Sequence, residues 1–161
     1  MRLLKLVALV AMLAAAVTVA GTARADDGPS WGPEMPNFNL EVVLRPTAGN
    51  GFGLVTFRQP NDGAKVILLD TWVRDLLPNH NYLLQRAVDL DTPDGVCSSQ
   101  VWAPLGTITT DDRGTGRAAL SRDVTGVLTG REFDIHFRVF DPTTSAAALE
   151  SGCYQYTVDG D

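Results

Sequence analysis

Three aspartates between positions 89 and 95 come closest, by residue type and spacing, to a binding site for a metal ion. Asp89, Asp91 and Asp94 lie within six residues of one another, and the segment ends at Gly95. Ca²⁺ is held by several oxygen ligands, which a tight loop with alternating carboxylates can supply. The segment is therefore a candidate for a weak calcium site.

The spacing of these acids differs from that of an EF-hand loop, which begins in a similar way. The third acid is displaced by one residue, and Gln100 stands at the twelfth position, where the loop needs a bidentate Glu. An acidic surface turn fits this pattern better than a calcium loop does. We therefore expect no metal site here and keep weak calcium binding as an alternative.

Only two histidines, His80 and His136, are available for acid–base or metal chemistry. They are distant in sequence, and transition-metal sites draw mainly on imidazole and thiolate ligands. The chain contains neither a G-x-S-x-G elbow nor an H-E-x-x-H motif. We expect no catalytic residue and no cofactor. The alternative is an enzyme whose site is assembled from distant loops around one of these histidines.

Four aromatic residues, Trp72, Trp102, Tyr154 and Tyr156, offer a different chemistry. Gathered on one face, they would bind sugars or peptides. Aromatic residues in strands are more often part of the core, and this is the interpretation we favour.

The first 25 residues predict a signal peptide. Arg2 and Lys5 precede the apolar run Leu6–Ala20, and Ala23-Arg24-Ala25 is a small-residue cleavage signal. Cleavage would remove 3 of the 13 basic residues and leave 10 against 19 acidic ones, a net charge of −9. Nucleic acids and anionic membranes need a basic surface, so neither is an expected partner. The predicted location is secreted or periplasmic.

The two cysteines, Cys97 and Cys153, both follow the predicted cleavage site. An even number of cysteines in an exported chain favours a disulfide bond. The C-x-x-C spacing of redox-active pairs is absent, so we predict a structural disulfide.

The remaining segments predict an all-β domain. Residues 26–38 contain three prolines and no periodicity, which indicates a flexible lead-in to a domain spanning 39–161. Glu132–Asp141 alternates most clearly between apolar and polar residues, and the central segment Lys65–Val88 divides into two apolar strands. About eight strands are expected in all, the others lying in 39–45, 51–59, 101–110, 115–124 and 153–158. One short helix is predicted over Asp141–Leu149, because Asp141 suits an N-cap and alanines follow.

The corner between the two central strands, Leu76-Leu77-Pro78-Asn79-His80-Asn81-Tyr82, resembles the L-x-P-x-x-x-Y pattern of immunoglobulin-like domains, including fibronectin type III. The resemblance implies an antiparallel immunoglobulin-like β-sandwich in which Pro78 shapes the corner and Tyr82 hydrogen-bonds back across it. More loosely, the segment Gly51–Gly116 resembles exported bacterial sandwiches of the CHRD and copper/zinc superoxide dismutase type. The dismutase chemistry does not follow, because two histidines cannot form that metal cluster.

These observations together predict an exported, non-catalytic β-sandwich module that binds an unknown protein or carbohydrate ligand. A secreted enzyme and a weak calcium-binding extracellular module are the alternatives.

Overall fold

The computed structural model describes residues 39–60, 64–90, 94–127 and 130–158, and within these ranges it contains strands and turns but no helix. The predicted signal peptide 1–25, the lead-in 26–38 and the turn residues 61–63 lie outside the described residues. The strands are β1 Asn39–Pro46, β2 Phe52–Arg58, β3 Val66–Arg74, β4 Asn81–Asp89, β5 Ala103–Thr109, β6 Gly116–Asp123, β7 Glu132–Asp141, β8 Ala146–Ser151 and β9 Tyr154–Thr157.

All nine strands belong to one antiparallel sheet in the order β5-β4-β7-β8-β1-β2-β3-β6. Strand β9 continues along the edge of β7 beyond β8. The terminal strands β5 and β6 approach each other through a bridge between Thr110 and Gly116 and through Leu120, whose side chain fills the space beside Gly106. The sheet is therefore nearly closed, and the predicted all-β antiparallel fold is confirmed.

The core follows from the alternation of side chains along the strands. In β7, Phe133, Ile135, Phe137 and Val139 are buried inside the sheet, while His136 and Arg138 point outward, as the sequence predicted. Similar alternation in the other strands completes an apolar interior, whose fully buried members include Val42, Leu44, Val55, Leu69, Val73, Leu84, Ile108 and Leu149.

The two central strands do not pair with each other. Strand β3 pairs with β2 and β6, whereas β4 pairs with β5 and β7. The Leu76–Asn81 corner therefore carries the chain from one side of the sheet to the other. The turn between β5 and β6 supports the corner, since Leu76 N donates to Gly114 O (3.2 Å) and Asn79 N to Asp111 O (2.9 Å). Gly114 must lack a side chain, because a Cβ there would lie 2.1 Å from Leu76 O.

The predicted short helix at 141–149 is wrong. Residues 142–145 form the turn of a hairpin, with Ser145 at a φ of 56°, and Ala146–Ser151 is strand β8. A short alanine-rich segment does not form a stable helix by itself. Here the segment pairs instead with β7 on one side and β1 on the other. Pairing with two neighbours overrides the helix propensity of alanine.

Candidate functional site

Two carboxylates of the weak calcium candidate, Asp89 and Asp94, accept hydrogen bonds from residues 96–99, which follow the acidic segment. Asp89, at the end of β4, accepts hydrogen bonds from Ser98 N (3.0 Å), Ser98 Oγ (2.9 Å) and Ser99 N (3.1 Å). The bond from Ser99 contributes most to lowering the pKa of Asp89. Asp94 Oδ1 accepts from Val96 N at 2.9 Å. Both side chains therefore act as loop-forming acceptors.

A fourth carboxylate, Asp134 of β7, fixes the same loop and was given no role by the sequence analysis. It is fully buried, and its Oδ2 accepts from Asp94 N (2.9 Å) and Gly95 N (3.0 Å). Its Oδ1 has no hydrogen-bond partner in the described structure. Asp91 lies outside the described residues, and among those described no group of three or more His, Cys, Asp or Glu is arranged to hold a metal ion.

The predicted pairing of Cys97 with Cys153 is present, with their Cα atoms 5.3 Å apart. The disulfide joins the loop after β4 to the short link between β8 and β9. Arg131 adds a second tie, because its Nη2 donates to Leu90 O at 3.3 Å. The described ends of the acidic loop are thus held by hydrogen bonds, and a disulfide follows at its exit.

At the corner, the Tyr82 hydroxyl accepts a hydrogen bond from Leu77 N at 3.1 Å, across Pro78. The Tyr82 side chain is buried, and this burial raises the pKa of its hydroxyl. Thr110 holds the corner from β5, since its Oγ1 donates to Leu77 O (2.6 Å) and accepts from His80 N (3.0 Å). The corner is therefore fixed by hydrogen bonds both within itself and to the neighbouring strand.

His80 lies beside a carboxylate that is distant in sequence. Its Nε2 donates to Asp141 Oδ1 at 2.9 Å, and its ring packs edge-on against Tyr82 at 4.8 Å between centroids. Burial of Asp141 opposes its ionisation, but the hydrogen bonds from His80, Thr143 and Thr144 outweigh that effect and lower the pKa to about 2. The pair connects the corner to the turn between β7 and β8.

His136 belongs to a different part of the surface. It points outward from β7, donates from Nε2 to Ser99 O at 3.0 Å, and stacks on Trp102 with ring centroids 4.5 Å apart. Its neighbour across the sheet, Ala87, is fully buried beneath these rings. The two histidines therefore have separate partners and do not form a joint site.

Arg138 lies two residues beyond His136 on the same outward side of β7. Its guanidinium carbon is 4.2 Å from the centroid of Trp102 and 4.7 Å from that of Phe140, and its Nε donates to Gln85 Oε1 at 2.7 Å. Burial lowers the pKa of Arg138, while the charge of Glu150 opposes this change. We call Trp102, His136, Arg138, Phe140 and Gln85 the Trp102 cluster.

A second group of aromatic and arginine residues lies on the outer side of β1, β2, β3 and β6. Direct cross-strand partners point to the same side of a sheet, and the register places Leu54, Trp72 and Arg117 in one row and Phe52 with Arg74 in the next. Arg45 completes the second row, 5.9 Å from the Phe52 ring centroid. We call these six residues the arginine–aromatic surface: Arg45, Phe52, Leu54, Trp72, Arg74 and Arg117.

The four aromatic residues named in the sequence analysis do not come together. Trp72 and Trp102 lie in the two separate surface groups. Tyr156 is buried in the core and donates from its hydroxyl to Gln59, while the half-buried Tyr154 accepts from Val43 N at 3.1 Å. The expectation of core positions is therefore correct for Tyr156. No motif marks the other members of the surface groups, because the contacts join distant strands.

The surface also has two open depressions. One, of about 700 Å³, lies beside the arginine–aromatic surface and is lined by Arg45, Phe52 and Arg74 together with the turn residues 49–51. The other, of about 470 Å³, lies between the ends of β5 and β6 and includes Asp111 and Arg117. Neither includes a histidine among its described lining residues.

A scan against models of protein families gives no match, and a search of curated proteins finds no similar sequence. In the part of the chain that the structure describes, no helix is long and apolar enough to cross a bilayer.

Proposed function

We propose that this chain is an exported, non-catalytic binding module, secreted or periplasmic, that holds its ligand on the Trp102 cluster. The observation that carries the proposal is the position of the Arg138 guanidinium between the rings of Trp102 and Phe140. The predicted signal peptide and the disulfide support export. The Tyr82 hydrogen bond across the corner supports kinship with immunoglobulin-like sandwiches.

The Trp102 cluster is organised before any ligand arrives. Arg138 is held by two rings and by Gln85, so little side-chain entropy remains to be lost on binding. Only its Nε has a hydrogen-bond partner among the described residues, which leaves the two terminal amino groups for a ligand. Glu150 is its cross-strand neighbour but makes no ion pair with it.

The Trp102 indole provides a flat apolar surface next to this charge. The ring packs on His136 and Arg138, which both point outward from β7, and Trp102 itself remains partly exposed. The preceding residue, Val101, is 81% exposed and extends the apolar area. Of the two expected partner classes, the carbohydrate fits this geometry better.

The ligand that matches both features is a carbohydrate that carries carboxylates, such as a uronic-acid polymer. The C–H side of a sugar ring is flat and apolar and would lie on the indole. A guanidinium pairs with a carboxylate through two parallel hydrogen bonds. The stacked ring and the bidentate ion pair together explain why an aromatic residue and an arginine are held side by side.

Binding is tested by calorimetric titration of the exported protein with polygalacturonate and, for comparison, with neutral dextran. We expect binding to polygalacturonate, with the Kd raised at least about tenfold in Trp102→Ala and in Arg138→Gln, since truncation of such residues typically costs 2 kcal/mol or more. Trp102→Phe keeps an aromatic platform and should recover part of the affinity. Arg122→Gln is the matched control for loss of one positive charge. Equal affinity of Trp102→Ala and the unmodified protein would overturn the proposal.

A second candidate, a secreted enzyme, has one observation in its favour. His80 is oriented by Asp141, as a general base often is, and its Nδ1 has no partner among the described residues. No serine, threonine or cysteine side chain hydrogen-bonds to this ring within the same residues. The test is hydrolysis of 4-nitrophenyl acetate. A rate above the buffer rate that His80→Gln abolishes would favour the enzyme, and equal rates would exclude this activity.

A further inference from the structure

The arginine–aromatic surface breaks the usual alternation of a sheet that has one side exposed to solvent. Outward positions of such strands are normally polar, yet Phe52, Leu54 and Trp72 are apolar, lie next to one another and are only partly buried. Phe52 and Trp72 pack edge-on with their centroids 6.0 Å apart. Each apolar side chain is thus in contact with a neighbour, and together they form a continuous patch.

Positive charge surrounds this patch. Arg74 lies 5.4 Å from the Phe52 centroid and 5.8 Å from that of Trp72, and Arg45 approaches Phe52 from the other side. Arg117 is the cross-strand partner of Trp72. Among the described residues, Arg74 has an ion pair with Asp75 at 3.6 Å, and neither Arg45 nor Arg117 has one.

Besides Asp75, which forms the ion pair with Arg74, three further acids border the patch. Glu150 is the cross-strand neighbour of Arg45, and Glu41 and Asp70 lie in the next row along the outer side of the sheet. The chain as a whole carries a net charge of −6. Arg45 and Arg117, which have no ion pair among the described residues, lie beside an exposed apolar patch on a chain of negative net charge, and this points to a ligand of opposite charge rather than to solubility.

We infer that the arginine–aromatic surface is a second binding site, separate from the Trp102 cluster, and that its occupant is an acidic protein segment carrying an aromatic side chain. Tryptophan and arginine dominate the energetics of protein interfaces, and an apolar centre with a charged rim is the usual arrangement there. The carboxylates of the partner pair with Arg45, Arg74 and Arg117. Its aromatic residue packs on Phe52, Leu54 and Trp72, beside the 700 Å³ depression between the β1–β2 turn and the end of β3.

A protein segment suits this surface better than a sugar does. The row formed by Leu54, Trp72 and Arg117 crosses three neighbouring strands, a width of about 10 Å, so it offers an extended flat contact rather than a single ring platform. An extended chain can lie across the strands and place alternate side chains on the apolar row and the arginines.

The experiment measures binding of the exported protein to a random copolymer of glutamate and tyrosine, with poly-glutamate and poly-lysine for comparison, at low and at physiological salt. We expect the glutamate–tyrosine copolymer to bind more tightly than poly-glutamate and poly-lysine to show no binding. Trp72→Ala and the double variant Arg45→Gln/Arg74→Gln should each raise the Kd at least about tenfold. Arg122→Gln, an exposed arginine at the far end of β6, should change the Kd less than about twofold.

The double variant keeps the test valid if Trp72→Ala does not fold, because Arg45 and Arg74 are exposed and carry no core contact. An equal loss in Arg122→Gln and in the double variant would show attraction by bulk charge alone and would overturn the inference. A dimer of the protein alone that dissociates in the double variant would mean that a second copy is the occupant, which also overturns it. Apart from the shared control Arg122→Gln, the probes and variants differ from those for the Trp102 cluster, so either site can fail independently.

Discussion

The hydrogen bond across the corner can be removed with little other change by Tyr82→Phe. Tyr82 is 2% exposed, and its hydroxyl accepts from Leu77 N at 3.1 Å. Phenylalanine keeps the buried ring and its edge contact with His80, so the variant loses only the acceptor. A hydrogen bond contributes about 0.5–1.5 kcal/mol net, and a buried donor without a partner costs about 1–3 kcal/mol.

The expected loss of unfolding free energy lies at the lower end of the range for a buried donor without a partner. Leu77 is at the surface and 55% exposed as a residue, so water can reach the freed amide and replace part of the lost bond. We expect Tyr82→Phe to lower the free energy of unfolding by about 1 kcal/mol, which corresponds to about 4 °C in the melting temperature of a domain of this size.

Urea unfolding at pH 7 measures this change, with an unaltered m value showing that the unfolded state is unaffected. Leu77→Ala is the matched control, because it removes an exposed side chain but keeps the amide donor. It should change the free energy of unfolding by less than about 0.5 kcal/mol. An unchanged midpoint for Tyr82→Phe, or an equal loss for Leu77→Ala, would refute the argument that this hydrogen bond stabilises the corner.

Four further predictions concern stability. The pKa of Asp141 falls from 3.8 to about 2 on folding, so its contribution to the free energy of unfolding is complete above about pH 4 and is lost as the pH falls through 2. In urea unfolding, Asp141→Asn should therefore lose less stability than the unmodified protein between pH 4 and 2. Parallel curves of unfolding free energy against pH would contradict this. Replacing both Cys97 and Cys153 by serine should lower the free energy of unfolding by roughly 4 kcal/mol on the chain-entropy model, and a loss under about 1 kcal/mol would refute that account. Asp134→Ala should cost about 2 kcal/mol and increase amide hydrogen exchange at the two loop amides that it binds, whereas unchanged exchange would remove its role in the loop. Melting curves in millimolar Ca²⁺ and in EDTA should coincide, and Asp89→Asn should lower both equally; a rise with Ca²⁺ that this variant abolishes would establish a calcium site.

The strands were predictable wherever one local pattern decided them. The alternation in Glu132–Asp141 predicts strand β7 with the same bounds as the structure, because buried and exposed side chains alternate with the period of a strand. Strand β8 could not be predicted in this way. Its alanine-rich sequence favours a helix, and pairing with β7 and with β1, the latter about a hundred residues earlier in the chain, makes it a strand.

Side-chain contacts show the same difference between local patterns and pairing of distant strands. The two cysteines predicted their own pairing because no alternative partner exists. The contact of Trp102 with Arg138 depends on the order of β5, β4 and β7, which no motif encodes. Asp134 looked like an ordinary outward residue of an alternating strand, and its burial results from the loop that folds over it.

The position of β1 between β2 and β8 determines when the sheet can close. Strands β1, β2 and β3 pair with their sequence neighbours and can form early, but Leu44 finds its partner Ser151 only when almost all of the described chain is available. Pairing over such a separation is slow, since the loop must be ordered before the contact stabilises it. Until then one edge of β1 is unpaired and open to other chains. The exposed charges of Glu41 and Arg45 lie on that strand, where they disfavour pairing with other chains until β8 has paired with β1.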